Sequence, residues 1–244
     1  LNRVTGQNPS QILGSLSANG QVFILNPNGV LFGAGSQVNV GGLVASTLSL
    51  SDADFIAGKH TFSGTGGSVV NQGTLTAAQA GYIALLAPEV RNEGVISATL
   101  GTAVLAAGNK VTLNLNNGAL VSFTIDQGAL NALADNKQLI QADGGQVFMS
   151  AKAADALSNA VVNNTGIIQA RTIQNVAGVI KLIGDMQVGT VNVGGTLDAS
   201  APVGRDLSRQ ASVGINPDLQ KTNGGFIETS AAHVHIADST TITT

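Results

Sequence analysis

The sequence predicts an all-β fold, a right-handed single-stranded parallel β-helix (solenoid) that carries an inserted β-hairpin and short helical turns. Three observations predict it: a motif that returns along the chain, strands of alternating apolar residues, and an unusual composition. Hydrophobic residues make up 43% of the chain, aromatic residues only 3% and charged residues 10%. The 31 glycines suit many tight corners, because glycine reaches positive φ without steric cost. An aliphatic interior with few rings fits a narrow, evenly stacked core.

An Asn-x-Gly-x-(Leu/Ile)-x-Ala motif marks one corner of the predicted coil. It occurs at 71–77, 92–98 and 164–170 and, without the asparagine, at 195–199. A second pattern, glycine followed by alternating apolar residues, occurs at 81–85, 145–149 and 178–182. Alternation with period two is typical of a strand with one buried face. We therefore expect Ile83, Ile96 and Ile180 to point inward.

These short strands predict three strands per coil, each stacked on the equivalent strand of the next coil about 4.8 Å away. The winding should be right-handed, by the steric preference that governs parallel crossovers. We expect Asn71, Asn92 and Asn164 to form a structural ladder in which corner side chains hydrogen-bond from coil to coil. Each coil buries its apolar residues against its neighbours, so cohesion is local and cumulative.

Two stretches interrupt the repeat. Near 109–126, two alternating runs flank Asn117-Gly118, which predicts an antiparallel hairpin inserted into the β-helix and lying over one face. Segments 127–137 and 151–160 are rich in Ala and Leu, and we interpret them as short helical turns. Near 201–223, prolines and glycines predict a loop excursion from the rod.

The sequence contains no catalytic motif that we can assign. No Gly-x-Ser-x-Gly, His-Glu-x-x-His or Gly-x-x-x-x-Gly-Lys string occurs. His233 and His235 flank Val234 and are expected to face solvent, and a zinc site would need a further ligand. Asp52 and Asp54 fit a turn or a helix cap. We therefore expect no catalytic residue, no metal, no cofactor and no enzymatic activity.

Composition and charge exclude some classes of function and leave two alternatives open. A net charge of −3, with Lys and Arg scattered singly, argues against a nucleic-acid binder. A carbohydrate-active β-helix enzyme of the polysaccharide lyase or hydrolase kind would need carboxylates clustered in one groove, whereas the Asp residues here are dispersed. A self-assembling β-solenoid rod stays possible, because unpaired strand edges at the ends of a stack favour end-to-end self-association.

Several motifs resemble the N-terminal secretion domain of filamentous-haemagglutinin-type exoproteins, the exported partners of bacterial two-partner secretion (TPS) systems. The resemblance is carried, in the family's order, by residues 8–14, 20–33, 40–47, 142–145 and 224–230. It covers nearly the whole chain. Because domains of this family begin earlier, we expect residues 1–244 to be one β-helix domain that lacks its first coils.

The resemblance implies a large secreted exoprotein of the adhesin or haemagglutinin type. A dedicated outer-membrane β-barrel transporter would recognise its N-terminal domain in the periplasm, and the chain would fold at the bacterial cell surface or in the medium. Asn26, Pro27, Asn28 and Gly29 would form the secretion motif, either as a structural corner, which the type I turn pattern favours, or as a direct contact of the transporter. Surface receptors or polysaccharides would bind to other regions of the exoprotein.

Overall fold

The computed structural model describes residues 1–173, 175–201 and 223–244, and these residues form a stack of parallel strands. In chain order the strands are β1 (Asn2–Arg3), β2 (Ser10–Ile12), β3 (Ser15–Ser17), β4 (Gln21–Leu25), β5 (Val30–Phe32), β6 (Gln37–Ser46), β7 (His60–Ser63), β8 (Ser68–Asn71), β9 (Thr74–Ala87), β10 (Glu89–Asn92), β11 (Val95–Ser97), β12 (Thr102–Ala107), β13 (Lys110–Asn116), β14 (Ala119–Gln127), β15 (Asn131–Asn136), β16 (Leu139–Gln141), β17 (Gln146–Ala151), β18 (Asn159–Asn164), β19 (Ile167–Gln169), β20 (Val179–Ile183), β21 (Thr190–Val193), β22 (Thr196–Asp198), β23 (Phe226–Ser230), β24 (His233–Ile236) and β25 (Thr241–Thr243).

Three strands make one coil, and equivalent strands of adjacent coils pair in parallel to form three faces. Face 1 contains β2, β5, β8, β10, β15, β18, β21 and β24. Face 2 contains β3, β11, β16, β19, β22, β25 and the first halves of β6 and β9. Face 3 contains β1, β4, β12, β17, β20, β23 and the second halves of β6 and β9. The predicted β-helix fold is confirmed.

We number the coils from β2. The first coil is β2 to β4, the second β5 and β6, the third β8 and β9, the fourth β10 to β12, the fifth β15 to β17 and the sixth β18 to β20. Residues 202–222 of the predicted loop excursion lie outside the described residues.

Aliphatic side chains fill the interior because the pairing keeps equivalent residues in register from coil to coil. On face 1, Val69 pairs with Val90, which pairs with Ala134, and all three are completely buried. Ile83 and Ile180 occupy the same inward positions on face 3, and both are completely buried, as the alternation predicts. The core is therefore a set of aliphatic columns that run along the axis of the stack.

A second apolar core lies outside face 3. The segment near 109–126 forms the antiparallel pair β13 and β14, whose turn residues Asn117 and Gly118 both have positive φ. Strand β7 pairs with β13 on its other edge, so that three strands form one antiparallel sheet. This sheet covers the outer side of face 3 in the first four coils and buries side chains such as Phe23, Tyr82 and Val104.

The prediction of helical turns at 127–137 and 151–160 is wrong. The first segment contains β15, and the second contains the end of β17, a turn and the start of β18. Alanine and leucine favour helices only weakly, and here strand stacking decides. Ala134 occupies an inward position in register with Val90 on one side and Val162 on the other, and the buried Ala132 pairs with Ala160. In the part of the chain that the structure describes, the only helix is α1 (Asp52–Ile56), and no helix has the length and apolarity needed to cross a membrane.

Candidate functional site

The Asn26–Gly29 segment is a tight turn at the corner where face 3 leads into face 1. The Gly29 amide donates to the Asn26 carbonyl at 3.0 Å, which closes a four-residue turn, and the Asn26 amide donates to Ser46 O of the next coil at 3.0 Å. Gly29 has φ of +127°, a backbone conformation that disfavours any side chain. Asn26 is completely buried, whereas Pro27 and Asn28 are exposed. The motif therefore presents only two of its four residues to solvent.

The side chain of Asn26 ties this turn to the segment that precedes it in the stack. Its Nδ2 donates to Asn8 O and to Ser10 Oγ, both at 2.9 Å. Its Oδ1 accepts from the backbone amide of Asn28 at 3.0 Å and from the Asn28 side chain at 3.1 Å. Asn28 Nδ2 also donates to Gly6 O at 2.8 Å. Because all these partners are provided by the fold, the geometry favours the structural-corner interpretation of the motif.

The asparagine corner, formed by Asn71, Asn92, Asn136 and Asn164, lies where face 1 leads into face 2. The four side chains are completely buried and form a continuous chain of hydrogen bonds. Asn71 Nδ2 donates to Asn92 Oδ1 at 2.8 Å, Asn92 Nδ2 to Asn136 Oδ1 at 2.8 Å, and Asn136 Nδ2 to Asn164 Oδ1 at 2.7 Å. The structure thus brings together the three asparagines singled out in the sequence and adds a fourth.

Asn136 escaped the sequence analysis because its motif lacks the glycine. Residues 136–142 have glutamine at that position but keep Ile140 and Ala142 at the other two. A search that allowed any residue at the third position would have found it. Glycine is preferred there because the corner packs closely: a Cβ on Gly94, for example, would lie 2.2 Å from Gly73 O.

The Asp143 corner, at the point where face 2 leads into face 3, carries a buried carboxylate. Arg171 donates three hydrogen bonds to this carboxylate: its Nη2 donates to Oδ2 at 2.7 Å, its Nε to Oδ1 at 3.1 Å and its backbone amide to Oδ1 at 3.0 Å. Gln141 Nε2 donates to Oδ2 at 2.8 Å. Burial by itself raises the pKa of Asp143, but the hydrogen bonds from Arg171 and Gln141 outweigh it and hold that pKa below its ordinary value.

This lowered pKa predicts a pH dependence of stability. An aspartate whose pKa is lower in the folded than in the unfolded chain stabilises the fold above the unfolded value, about 3.9, and that contribution is lost as the pH falls through the folded value. We expect Asp143→Asn to lower the free energy of unfolding by about 1–3 kcal/mol near neutral pH, and the difference from the wild type should shrink below about pH 4. Urea unfolding across the acid range measures it, and a difference that stays constant down to about pH 2 would contradict this assignment.

In the described part of the chain, the histidines and carboxylates form no cluster of metal ligands. His233 and His235 extend outward columns of face 1 and are exposed, as expected from their alternation with Val234. Within residues 1–173, 175–201 and 223–244, no group of three or more His, Asp or Glu side chains could hold a metal ion. A groove of about 700 Å³ runs between β14 and face 3, and its carboxylates are those of Asp155 and Asp185.

A comparison with protein families decides the relationship. Residues 1–199 match the family model described as the TPS secretion domain. The chain belongs to this family. The resemblance in the motifs is therefore confirmed, and each of those motifs now has a position in the stack: the Asn26–Gly29 turn joins the first two coils, and Asp143 closes a corner of the fifth.

Relatives and a solved structure agree with this TPS assignment. Two heme/hemopexin-binding proteins of Haemophilus influenzae are similar to the chain, one from strain Rd at 32% identity over 193 residues and one at 30% over 216 residues. Each alignment covers 75% of this chain, but it spans only 21% and 22% of the two relatives. The crystal structure of the HMW1 secretion domain from Haemophilus influenzae matches with a TM-score of 0.67 at 25% identity, over 99% of this chain and 83% of that one.

Membership in the TPS family fixes the coarse role of the chain. It is a TPS secretion domain, which implies interaction with a TPS outer-membrane transporter, and proteins with this domain are exported through the outer membrane to the cell surface or the medium. The matching family and the matching structure are both secretion domains.

Proposed function

We propose that this TPS domain directs a longer surface exoprotein to its dedicated transporter and that its coils begin the rod-like scaffold of the exported protein. The observation that carries the proposal is the family match over residues 1–199. The relatives support a longer product, because the chain spans only about a fifth of their length. The transporter would thus recognise this segment, and the regions beyond it would determine the target.

The exposed end of the stack supports the scaffold role. Val234 and Ile236 continue inward columns above Val191 and Val193, yet they are 38% and 53% exposed because no described coil covers them. Ile242 on face 2 is 45% exposed for the same reason. This end therefore offers apolar surface and unpaired strand edges to a further coil, which would bury both.

The class of the exported protein has two candidates. The motifs resemble those of adhesins of the filamentous-haemagglutinin type, and we propose an adhesin or haemagglutinin first. The names of the two relatives favour a second candidate, an exoprotein that binds haem or haemopexin. Binding of the purified whole exoprotein to haemopexin-coated surfaces, compared with binding to host cells, separates the two. We infer for both that this segment itself performs no catalysis.

Export provides the direct test of the main proposal. The whole exoprotein should reach the medium or the cell surface when it is produced together with its transporter, and it should stay in the periplasm when residues 1–199 are deleted. The isolated 244-residue segment, produced with the same transporter, should also appear outside the cell. A deletion that leaves export unchanged would refute the proposal, and a strain without the transporter serves as the control.

For the Asn26–Gly29 turn we propose the role of a structural corner. The hydrogen bonds of the buried Asn26 side chain support it, whereas Pro27 and Asn28 are exposed and therefore accessible to the transporter. On the structural interpretation, Asn26→Ala should lower the free energy of unfolding by about 2–3 kcal/mol and Asn28→Ala by about 1 kcal/mol, because the former removes more buried hydrogen bonds. Secretion should fall in the same order.

Binding to the purified transporter distinguishes the two interpretations of this turn. We expect the unfolded chain of either variant to bind the transporter with wild-type affinity. Asn39→Ala is the matched control, because Asn39 is an exposed asparagine on the face 2 half of β6, in the second coil, which the turn joins to the first. If Asn28→Ala abolished transporter binding while its urea unfolding curve stayed at the wild-type position, the direct-contact interpretation would replace ours.

A further inference from the structure

Face 3 has two apolar sides in the first four coils. Its inward side chains, such as Leu43 and Ile83, belong to the central core of the stack, as in every other coil. Its outward side chains, such as Val44, Tyr82 and Val104, are also completely buried, in the second core under the antiparallel sheet. Strands that are covered on both sides have no polar surface of their own, so these coils depend on their cover.

The cover comes from two insertions that are far apart in the chain. Strand β7 precedes the third coil, whereas β13 and β14 follow the fourth. The two parts meet where Leu113 of β13 pairs with His60 of β7, and Phe62 and Val111 are completely buried in the joint. The tip of the hairpin extends back to the first coil, where a Cβ on Gly118 would lie 3.2 Å from Gln21 Nε2. The hairpin thus closes over coils made long before it.

The sixth coil has no such requirement. Strand β20 of the sixth coil alternates between buried and half-buried residues, with Ile180 and Leu182 inward. Its outward residue Lys181 forms a salt bridge with Glu228 of β23, the neighbouring strand on face 3, with Nζ and Oε2 2.9 Å apart. The outward side of β20 can therefore stay exposed to solvent. The sixth coil can be added to an existing stack because the burial of its inward side chains is sufficient to hold it there.

We infer that the chain does not fold coil by coil from its first residue, but that the first four coils become stable only as one unit, when the β13–β14 hairpin closes over face 3. Until the chain is available up to Gln127, the end of β14, the outward apolar side chains of face 3 in the first four coils are exposed to water, and the stacking of strands alone does not bury them. The sixth coil then adds to this unit. The consequence for export rests on the proposed function: folding outside the cell begins to retain the chain only after the hairpin has crossed the outer membrane.

Refolding of the intact 244-residue chain from denaturant tests this inference without a transporter, so its failure is separate from a failure of the export proposal. Pulse-labelled hydrogen exchange reports when each backbone amide becomes protected. We expect the amides of Leu43 and Ile83 to gain protection in the same kinetic phase as that of Leu113, and the amide of Leu182 to follow. Protection of Leu43 and Ile83 before Leu113 would overturn the inference.

A matched pair of leucine truncations gives a second readout. Leu113 is buried in the outer core by the hairpin, and Leu182 is buried in the central core of the sixth coil. Leu113→Ala should slow folding about tenfold, since its contacts form in the rate-limiting unit, whereas Leu182→Ala should mainly accelerate unfolding. If Leu113→Ala accelerates unfolding without slowing folding, or if both variants slow folding equally, the hairpin is not the closing element.

Discussion

Ile83→Asp should abolish the folded β-helix and, with it, the appearance of the exoprotein at the cell surface. Ile83 is completely buried in the central core, in register with Leu43 on one side and Ala103 on the other. A carboxyl group in this column would have no hydrogen-bond partner, and its burial should cost about 5 kcal/mol or more, a large part of the stability of an ordinary domain. Circular dichroism of the purified chain and immunodetection on intact cells measure the two effects.

The same substitution at an exposed apolar site provides the control for Ile83→Asp. Leu157 lies in the turn between β17 and β18 and is 96% exposed, so Leu157→Asp should leave both folding and export at the wild-type level. Ile180→Asp, which also buries a carboxyl group, should resemble Ile83→Asp. Export of either buried-site variant at the wild-type rate, together with a circular dichroism spectrum that shows the loss of the β-helix, would contradict the expected link between folding of this segment and its appearance at the cell surface.

The parts of the fold that a repeat encodes could be predicted from the sequence. The asparagine corner and the alternating strands return at nearly fixed positions, and residues that stack in register must be similar in size and polarity. Ile96, for example, pairs with Leu75 below and Ile140 above, and all three occupy the same place in the motif. The hairpin turn at Asn117-Gly118 has an equally local cause, because both residues tolerate the positive φ that the turn requires.

The parts that depend on tertiary packing were missed or wrongly interpreted. The alanines of β15 suggested a helix, because alanine favours helices when the sequence is considered alone. Their actual role depends on tertiary packing: Ala134 fits the narrow interior between Val90 and Val162. Strand β7 was missed because its partner β13 lies about fifty residues away. The sequence does contain a sign that face 3 is covered on both sides, namely the unbroken apolar runs 82–87 and 103–107. A strand with one side exposed to solvent would alternate between apolar and polar residues.

The candidate site shows the same division. The buried asparagines could be found because each of them is part of a local motif, and even Asn136 differs from that motif at a single position. The Asp143–Arg171 ion pair could not be predicted from the sequence. The two residues lie on different coils, and no local motif around either residue indicates that they are in contact. The contacts of the Asn26–Gly29 turn could not be predicted for the same reason, because Asn26 and Asn28 donate hydrogen bonds to the carbonyl groups of Asn8 and Gly6, about twenty residues earlier in the chain.

Asn92→Ala should lower the free energy of unfolding by about 3–5 kcal/mol, because it interrupts the asparagine corner in its interior. The change removes the bond that Asn92 Oδ1 accepts from Asn71 and the bond that Asn92 Nδ2 donates to Asn136, both 2.8 Å long. The donor of Asn71 and the acceptor of Asn136 then stay buried with fewer partners, and each such group costs about 1–3 kcal/mol. Urea unfolding measures the loss as a shift of the midpoint at an unchanged slope.

Position within the corner should determine the size of the effect, which distinguishes a cooperative ladder from a set of separate side chains. Asn164 receives a single ladder bond, from Asn136, so Asn164→Ala should cost about half as much as Asn92→Ala. Asn159 is an exposed asparagine on the same strand as Asn164, and Asn159→Ala should change stability by less than about 0.5 kcal/mol. Equal losses at Asn92, Asn164 and Asn159 would mean that the hydrogen bonds between coils contribute little, and that the aliphatic columns alone keep the coils in register.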